Sequence, residues 1–252
     1  MTTTDNTAFQ EWWATTWLEK ERIIGNVYGT ESPANVIAFD WDDIDLRIPG
    51  ACAMQFCPHP KNNMRHIVAS FGLSQPIGPE AVTSPEAPSG EGYEIAFATS
   101  VEAHWAIGLI GQLLTYLRES STVIGRGHRL PVWYRNSGEG VLGKPEVNEV
   151  PFGNMRWIVV WPDLRNPGGF DSTTGYFNVY FCTTITTEEW EFTKKTSSAH
   201  VVLLLAELGY AQTSELNRKD TVTDPTSQNR VQRILKLSTE QAERELFERF
   251  ST

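Results

Sequence analysis

Three stretches of the chain carry residue types and spacings from which chemistry could be built. Gly138-Glu139-Gly140-Val141-Leu142-Gly143-Lys144 satisfies G-x-G-x-x-G and most of the G-x-x-x-x-G-K-[ST] phosphate loop. That loop needs a hydroxyl after the lysine and a helix whose free N–H groups face the phosphate. Pro145 stands where the hydroxyl should be and Pro151 follows soon after, so the run reads as a flexible glycine loop. Cys52, Cys57, His59 and His66 place four zinc-ligand types within fifteen residues, in the spacing C-x4-C-x-H-x6-H. This departs from the usual finger, and Pro58 and Pro60 hold His59 in an extended stretch. The cysteines therefore read as strand residues and the histidines as part of a polar turn. The third stretch, FDWDDIDL, gathers Asp40, Asp42, Asp43 and Asp45 around Trp41. An EF-hand starting at Asp40 would need glycine at its sixth place and glutamate at its twelfth, where Asp45 and Ala51 stand. The remaining readings are a solvated turn, an electrostatic landing patch for a basic protein with Trp41 as its hydrophobic centre, or a metal site of another design.

Hydrolase machinery is not visible. The sequence has no G-x-S-x-G elbow and no H-E-x-x-H, and His104, His128 and His200 are isolated, each reading as a structural histidine. No cofactor and no metal is expected, and an enzyme is not the preferred reading.

The elements that would position these residues follow from periodicity. Phe9, Trp12, Trp13 and Trp17 recur at helical spacing, predicting an amphipathic helix from about residue 7 to Val27, closed near Gly29. Its tryptophans read as core packing or as aromatic anchors beside carboxylates. Strands are predicted at Val36–Phe39, Ala51–Phe56, Ile67–Phe71 and Tyr93–Thr99, the last half-buried because Tyr93, Ile95 and Phe97 alternate. The Pro- and Gly-rich QPIGPEAVTSPEAPSGEG between the last two reads as a surface loop. Residues 102–119 carry a wide apolar stripe and predict a helix. Strands follow at Leu130–Tyr134, Met155–Trp161 and Tyr176–Ile185, and SSAHVVLLLAELGY is a buried helix capped by Gly209. NRKDTVTDPTSQNR reads as a linker, and Ser238 with Gln241 forms a capping box for a last short helix. This order does not alternate as a doubly wound parallel sheet would. It predicts an α+β fold with a mixed, largely antiparallel sheet and helices packed on it.

Composition excludes several classes. The 252 residues carry a net charge of −10, with a pI near 5.0. That disfavours both a nucleic-acid binder and docking on anionic membrane, and favours a basic partner. The longest apolar run, Val201–Ala206, falls far short of the ~20 residues that span a bilayer. The start shows no secretory signal, and three cysteines suit a reducing cytoplasm. The acidity is concentrated early: residues 1–50 hold nine acids and three bases, whereas residues 213–252 hold seven of each.

HIVASFGLSQPIG, PSGEGYEIAFAT, AHWAIGLIGQLLTYL, GHRLPVW, PFGNMRWIVVW and HVVLLLAELGY occur in this order between about Ile23 and Asp220. Together they resemble the suppressor of fused domain family. The resemblance implies a mixed sheet with helices and a protein-binding role. Animal members hold Gli-type transcription factors in a groove between two halves, and single-domain bacterial members are similar to immunity proteins that neutralise a cognate toxin. This sequence ends soon after the first half, which favours the bacterial role. On the same resemblance, a groove tyrosine matches Tyr116, and the histidine of a glycine–aspartate–histidine element matches His128. The aspartate itself falls on Gly127, so that carboxylate is missing.

The expectation is thus a cytoplasmic, non-enzymatic protein-binding domain over residues 1–212, followed by a linker and helical extension over 213–252. Its partner is a protein, with a basic toxin as the specific case, and neither nucleic acid nor membrane. The candidate partner-binding residues are Asp40, Trp41, Asp42, Asp43 and Asp45, together with Tyr116 and His128. The alternatives are a regulator of an endogenous protein or transcription factor, and a metal-dependent enzyme or small-molecule-binding module.

Overall fold

The computed structural model describes residues 3–29, 33–39, 50–58, 65–120, 122–132 and 153–251. The elements run α1 (Thr3–Tyr28), β1 (Asn35–Ala38), β2 (Cys52–Phe56), β3 (His66–Phe71), β4 (Pro88–Thr99), α2 (His104–Ser120), β5 (Arg129–Pro131), β6 (Trp157–Pro162), β7 (Phe170–Ser172), β8 (Gly175–Ile185), α3 (Thr187–Lys195), α4 (Ser198–Glu207), α5 (Gln228–Ile234) and α6 (Thr239–Glu248). The strand order is β1-β2-β3-β4-β8-β6-β5, with β7 pairing β8. β1 to β4 form an antiparallel run, and β5–β6 and β7–β8 are antiparallel pairs. The α+β expectation holds, with a mixed sheet of eight strands. Among the described residues no helix is long and apolar enough to cross a membrane.

The chain forms two compact units, residues 1–122 with 166–180, and residues 123–165 with 181–252. In the first unit, α2 packs across β2, β3 and β4, and its Leu109, Ile110 and Leu114 are buried. The aromatic stripe of α1 is a ladder into this core. Phe9 meets Trp12 and Trp13 at 6.0 Å, Trp13 stacks on Trp17 at 6.2 Å, and Trp17 stands edge-on against Phe71 at 4.4 Å. Contacts support core packing for Trp17, whereas Trp12 and Trp13 stay half-buried on the outer part of the ladder.

β4 differs from its sequence reading in two ways. It starts at Pro88, inside the Pro-rich stretch, where a first strand residue tolerates proline. Its second half is buried on both faces, because Glu94, Ala96 and Ala98 lie opposite the Tyr93-Ile95-Phe97 face and are covered too. Burying Glu94 requires a full set of donors. One oxygen accepts from the Ser70 hydroxyl at 2.6 Å, and the other from Gly72 N–H at 3.1 Å, Ser74 N–H at 2.8 Å and the Ser74 hydroxyl at 2.7 Å. Desolvation nevertheless pushes its carboxyl above the usual range.

Lys20 of α1 enters the same polar cluster fully buried, donating to Ser74 O at 2.6 Å and Gln75 Oε1 at 3.3 Å. Desolvation lowers its pKa from 10.5 to about 8, against the attraction of Glu94 and Glu19. Between these values the unfolded chain keeps a proton that the folded chain has released, so stability rises with pH there. The folded-state penalty is complete below about 8 and relieved by about 10.5. At about 1.4 kcal/mol per pKa unit, Lys20→Met removes roughly 3 kcal/mol of that rise. Urea melts of the two proteins from pH 7.5 to about 10.5 check this, and parallel stability curves would contradict it.

In the second unit, α4 is the central buried helix, with Val201, Leu203, Leu204 and Leu205 almost wholly covered and α3, α5 and α6 packed about it. Gly209 ends it as expected. Its φ of 85° lets Tyr210 N–H reach Leu205 O at 2.8 Å, the six-to-one bond of a glycine cap. The Ser238–Gln241 capping box of α6 is present in both directions. The segment Asn217–Arg230, a linker by composition, is anchored instead. Arg218, Thr221 and Ser227 are buried, and a 3-10 turn at Pro225–Ser227 leads into α5. Burial raises the Cys182 thiol strongly and takes Cys52 to about 12, so neither is a thiolate at neutral pH.

Candidate functional site

Asp40, Trp41, Asp42, Asp43 and Asp45 lie outside the described residues, as do His59 and the Gly138–Lys144 loop. Tyr116 lies in the first unit, half-buried on α2 next to the buried Leu117. His128 lies in the second unit and is exposed.

Gly127 and His128 belong to a turn that leads into β5. Gly127 N–H donates to Val160 O at 2.8 Å, Val160 N–H donates to His128 O at 2.9 Å, and His128 N–H closes on Gly125 O at 3.1 Å. Gly127 has φ 79°, which explains glycine where the resemblance places an aspartate. A Cβ here would meet only Ser198 at 3.9 Å and Trp161 at 4.0 Å, ordinary contact distances. His128 Nδ1 accepts from Gly125 N–H at 3.2 Å, so the neutral ring carries its proton on the other nitrogen.

Beside this turn lies a concavity of about 520 Å³. Its walls come from the turn, from Trp161 on β6, from the α3–α4 junction and from the start of α6. α3 begins with a capping box between Thr186 and Glu189, which the T-T-E-E run encodes. α4 begins differently. The Ser197 hydroxyl is 2.7 Å from His200 Nδ1, and His200 Nε2 is 3.1 Å from Leu237 O. A carbonyl can only accept, so Nε2 donates to it and Nδ1 accepts from Ser197. This is the satisfied structural histidine that the sequence reading anticipated, and it draws the Ser197 side chain away from the helix amides. Ser198 Oγ donates to Gly127 O at 2.7 Å and ties α4 to the turn.

Two arginines are held over aromatic rings at this concavity. The Arg126 guanidinium sits 4.8 Å above Trp161 and 5.4 Å from Phe247, with Nη2 2.5 Å from Glu243. Arg129 sits 4.9 Å above Trp190, which stacks on Trp157 at 4.2 Å and 14°. Its Nη1 donates to Thr193 O at 3.3 Å and to Thr193 Oγ1 at 3.1 Å. Lys194 completes the cationic rim. Sequence reasoning flagged Gly127 and His128 but missed these cations, which come from two separate stretches. The available signal was the interleaving of arginine and glycine in Gly125-Arg126-Gly127-His128-Arg129.

The family model for Suppressor of fused protein (SUFU) matches residues 50–219, two thirds of the chain. No curated protein matches the sequence. Among solved structures, a chain of the Sufu–Fu complex superposes with a TM-score of 0.59 at 14% identity, over 94% of this chain and 97% of that one. Drosophila Suppressor of Fused matches at 0.52 and 16% identity, over 73% of this chain but 46% of its own length. A SUFU homolog from Neisseria gonorrhoeae FA 1090 matches at 0.51 and 16% identity, over 84% and 98%. These likenesses agree on the fold, and with the family match over residues 50–219 they establish that the chain belongs to the suppressor of fused family.

Proposed function

We propose that this chain acts by binding another protein, and that its specific role is that of an immunity-type protein neutralising a basic toxin. The observation that carries this reading is the placement of charge. The first unit holds 16 acids against 6 bases, a net of −10, and the second holds 15 of each. The whole excess of the chain therefore belongs to one unit. A field concentrated in this way steers a basic partner and repels acidic ones. The Sufu chain matched over 97% of its length was solved in a complex with a protein, which supports binding as the mode of action. Gly127 supports a partner other than the Gli type, since the carboxylate expected at that position is absent. Tyr116 and the Asp40–Asp45 cluster are the first-unit residues assigned to the contact, and His128 is the second-unit residue.

Co-expression with the toxin encoded beside this chain tests the role. The expected outcome is restored growth and a stable complex on gel filtration. Continued toxicity with no complex would remove the immunity reading and leave regulation of an endogenous protein as its successor.

A further inference from the structure

The second unit has no net charge, yet its concavity is cationic. Arg126, Arg129 and Lys194 line it against a single carboxylate, Glu243, for a lining charge of +2. The acidic surface used in the proposed function plays no part in this.

The two arginines are preset. Arg129 is fixed by stacking on Trp190 and by two bonds from Nη1 to Thr193, which leave Nε–H and both Nη2 hydrogens without an acceptor among the described residues. A planar guanidinium held in this way loses little entropy when it takes an anion. Arg126 is clamped between Trp161 and Phe247. Lys194 lies 6.0 Å from the Trp190 ring centroid and pairs with Glu191 in an exposed i,i+3 contact that is cheaply exchanged. Ser198 and Ala199 also line the space, and their backbone N–H groups open the ten-residue α4, where no preceding carbonyl takes them. Neither neighbouring hydroxyl caps them, because Ser197 is committed to His200 and Ser198 to Gly127 O.

We infer that this concavity binds a phosphate monoester. Such a group carries about −1.5 to −2 at neutral pH with three acceptor oxygens, which matches the lining charge and the spread of donors better than a single carboxylate does. The monoester could be a small phosphorylated metabolite or a phosphoserine side chain of a protein, and the volume accommodates either.

Calorimetric titration of the full chain with inorganic phosphate, glycerol phosphate, and a phosphoserine peptide beside its unphosphorylated twin tests this. Saturable binding of the phosphorylated probes and none of the unphosphorylated peptide is expected. Comparable affinity for glycerol phosphate and phosphopeptide assigns a small ligand, whereas binding of the phosphopeptide alone assigns a protein segment. Arg129→Gln should weaken binding by about tenfold or more, through loss of a charge-assisted contact. Gly127→Asp, whose Cβ meets nothing closer than 3.9 Å but sits on a backbone at φ 79° that strains any side chain, places a carboxylate beside the concavity and should abolish it. Arg244→Gln, at an exposed site on α6, should leave it unchanged. Should Gly127→Asp fail to fold, Arg129→Gln alone decides. No saturable binding of any phosphate probe, or binding that Arg129→Gln and Arg244→Gln affect equally, would overturn the assignment.

Discussion

Glu189→Gln should lower the stability of the protein by about 3–5 kcal/mol, the cost of leaving a buried charge without its partner. The side chains of Glu189 and Arg218 are 0% and 1% exposed and meet through both carboxylate oxygens. One oxygen also accepts from Thr221 N–H at 3.0 Å and the Thr221 hydroxyl at 2.6 Å, and the other from Thr186 N–H at 3.0 Å. Arg218 Nη2 further donates to Thr184 O at 3.1 Å. One carboxylate thereby joins the start of α3, the end of β8 and the segment after Ser214. Glutamine offers a single acceptor and no charge, so the guanidinium stays desolvated beside it. Arg218→Met should cost a comparable amount by stranding Glu189. The double variant Glu189→Gln/Arg218→Met should cost less than the two singles added together, with a coupling on the order of 1–3 kcal/mol. Urea midpoints of the four proteins check this, and additive losses would show that the pair does not act as a unit.

The same pair shows why composition alone does not reveal the anchoring of residues 217–230. NRKDTVTDPTSQNR is polar throughout and looks solvated, but Arg218 is buried because its acceptor stands 29 positions earlier. No local pattern encodes a partner at that distance. α2 and α4 were legible because their apolar stripes are continuous, and α6 because its cap is local. α3 was overlooked although its capping box is equally local, since its apolar residues are sparse. β7, only three residues long, has too little pattern to show. The burial of Glu94 was hidden for the opposite reason. Alternation around Tyr93 signals one buried face, and only Ser70 and Ser74, brought over by pairing of β3 with β4, make the other face a home for a carboxylate. At the candidate site, Gly127 and His128 were legible through the family resemblance. The cationic rim was not, because Lys194 joins Arg126 and Arg129 only through packing of the α3–α4 junction.

In the proposed role, capture of a partner by charge would rest on the first unit and above all on its densest cluster. Asp40, Asp42, Asp43 and Asp45 are four of that unit's 16 acids, set within six residues around Trp41. Long-range attraction of this kind acts on the encounter, so its loss should appear mainly in the association rate and hardly in dissociation. It should also fade as salt shortens the screening length to about 10 Å at 0.1 M and about 3 Å at 1 M. The decisive measurement is the association rate constant, from low to high salt, of the toxin partner with the native protein and with the variant carrying Asp40→Asn, Asp42→Asn, Asp43→Asn and Asp45→Asn together. The account predicts association slower by about ten- to a hundredfold at low salt, a flatter salt dependence, and convergence of the two proteins at high salt. Equal rates and equal salt slopes would contradict it and return the aspartates to an ordinary solvated turn.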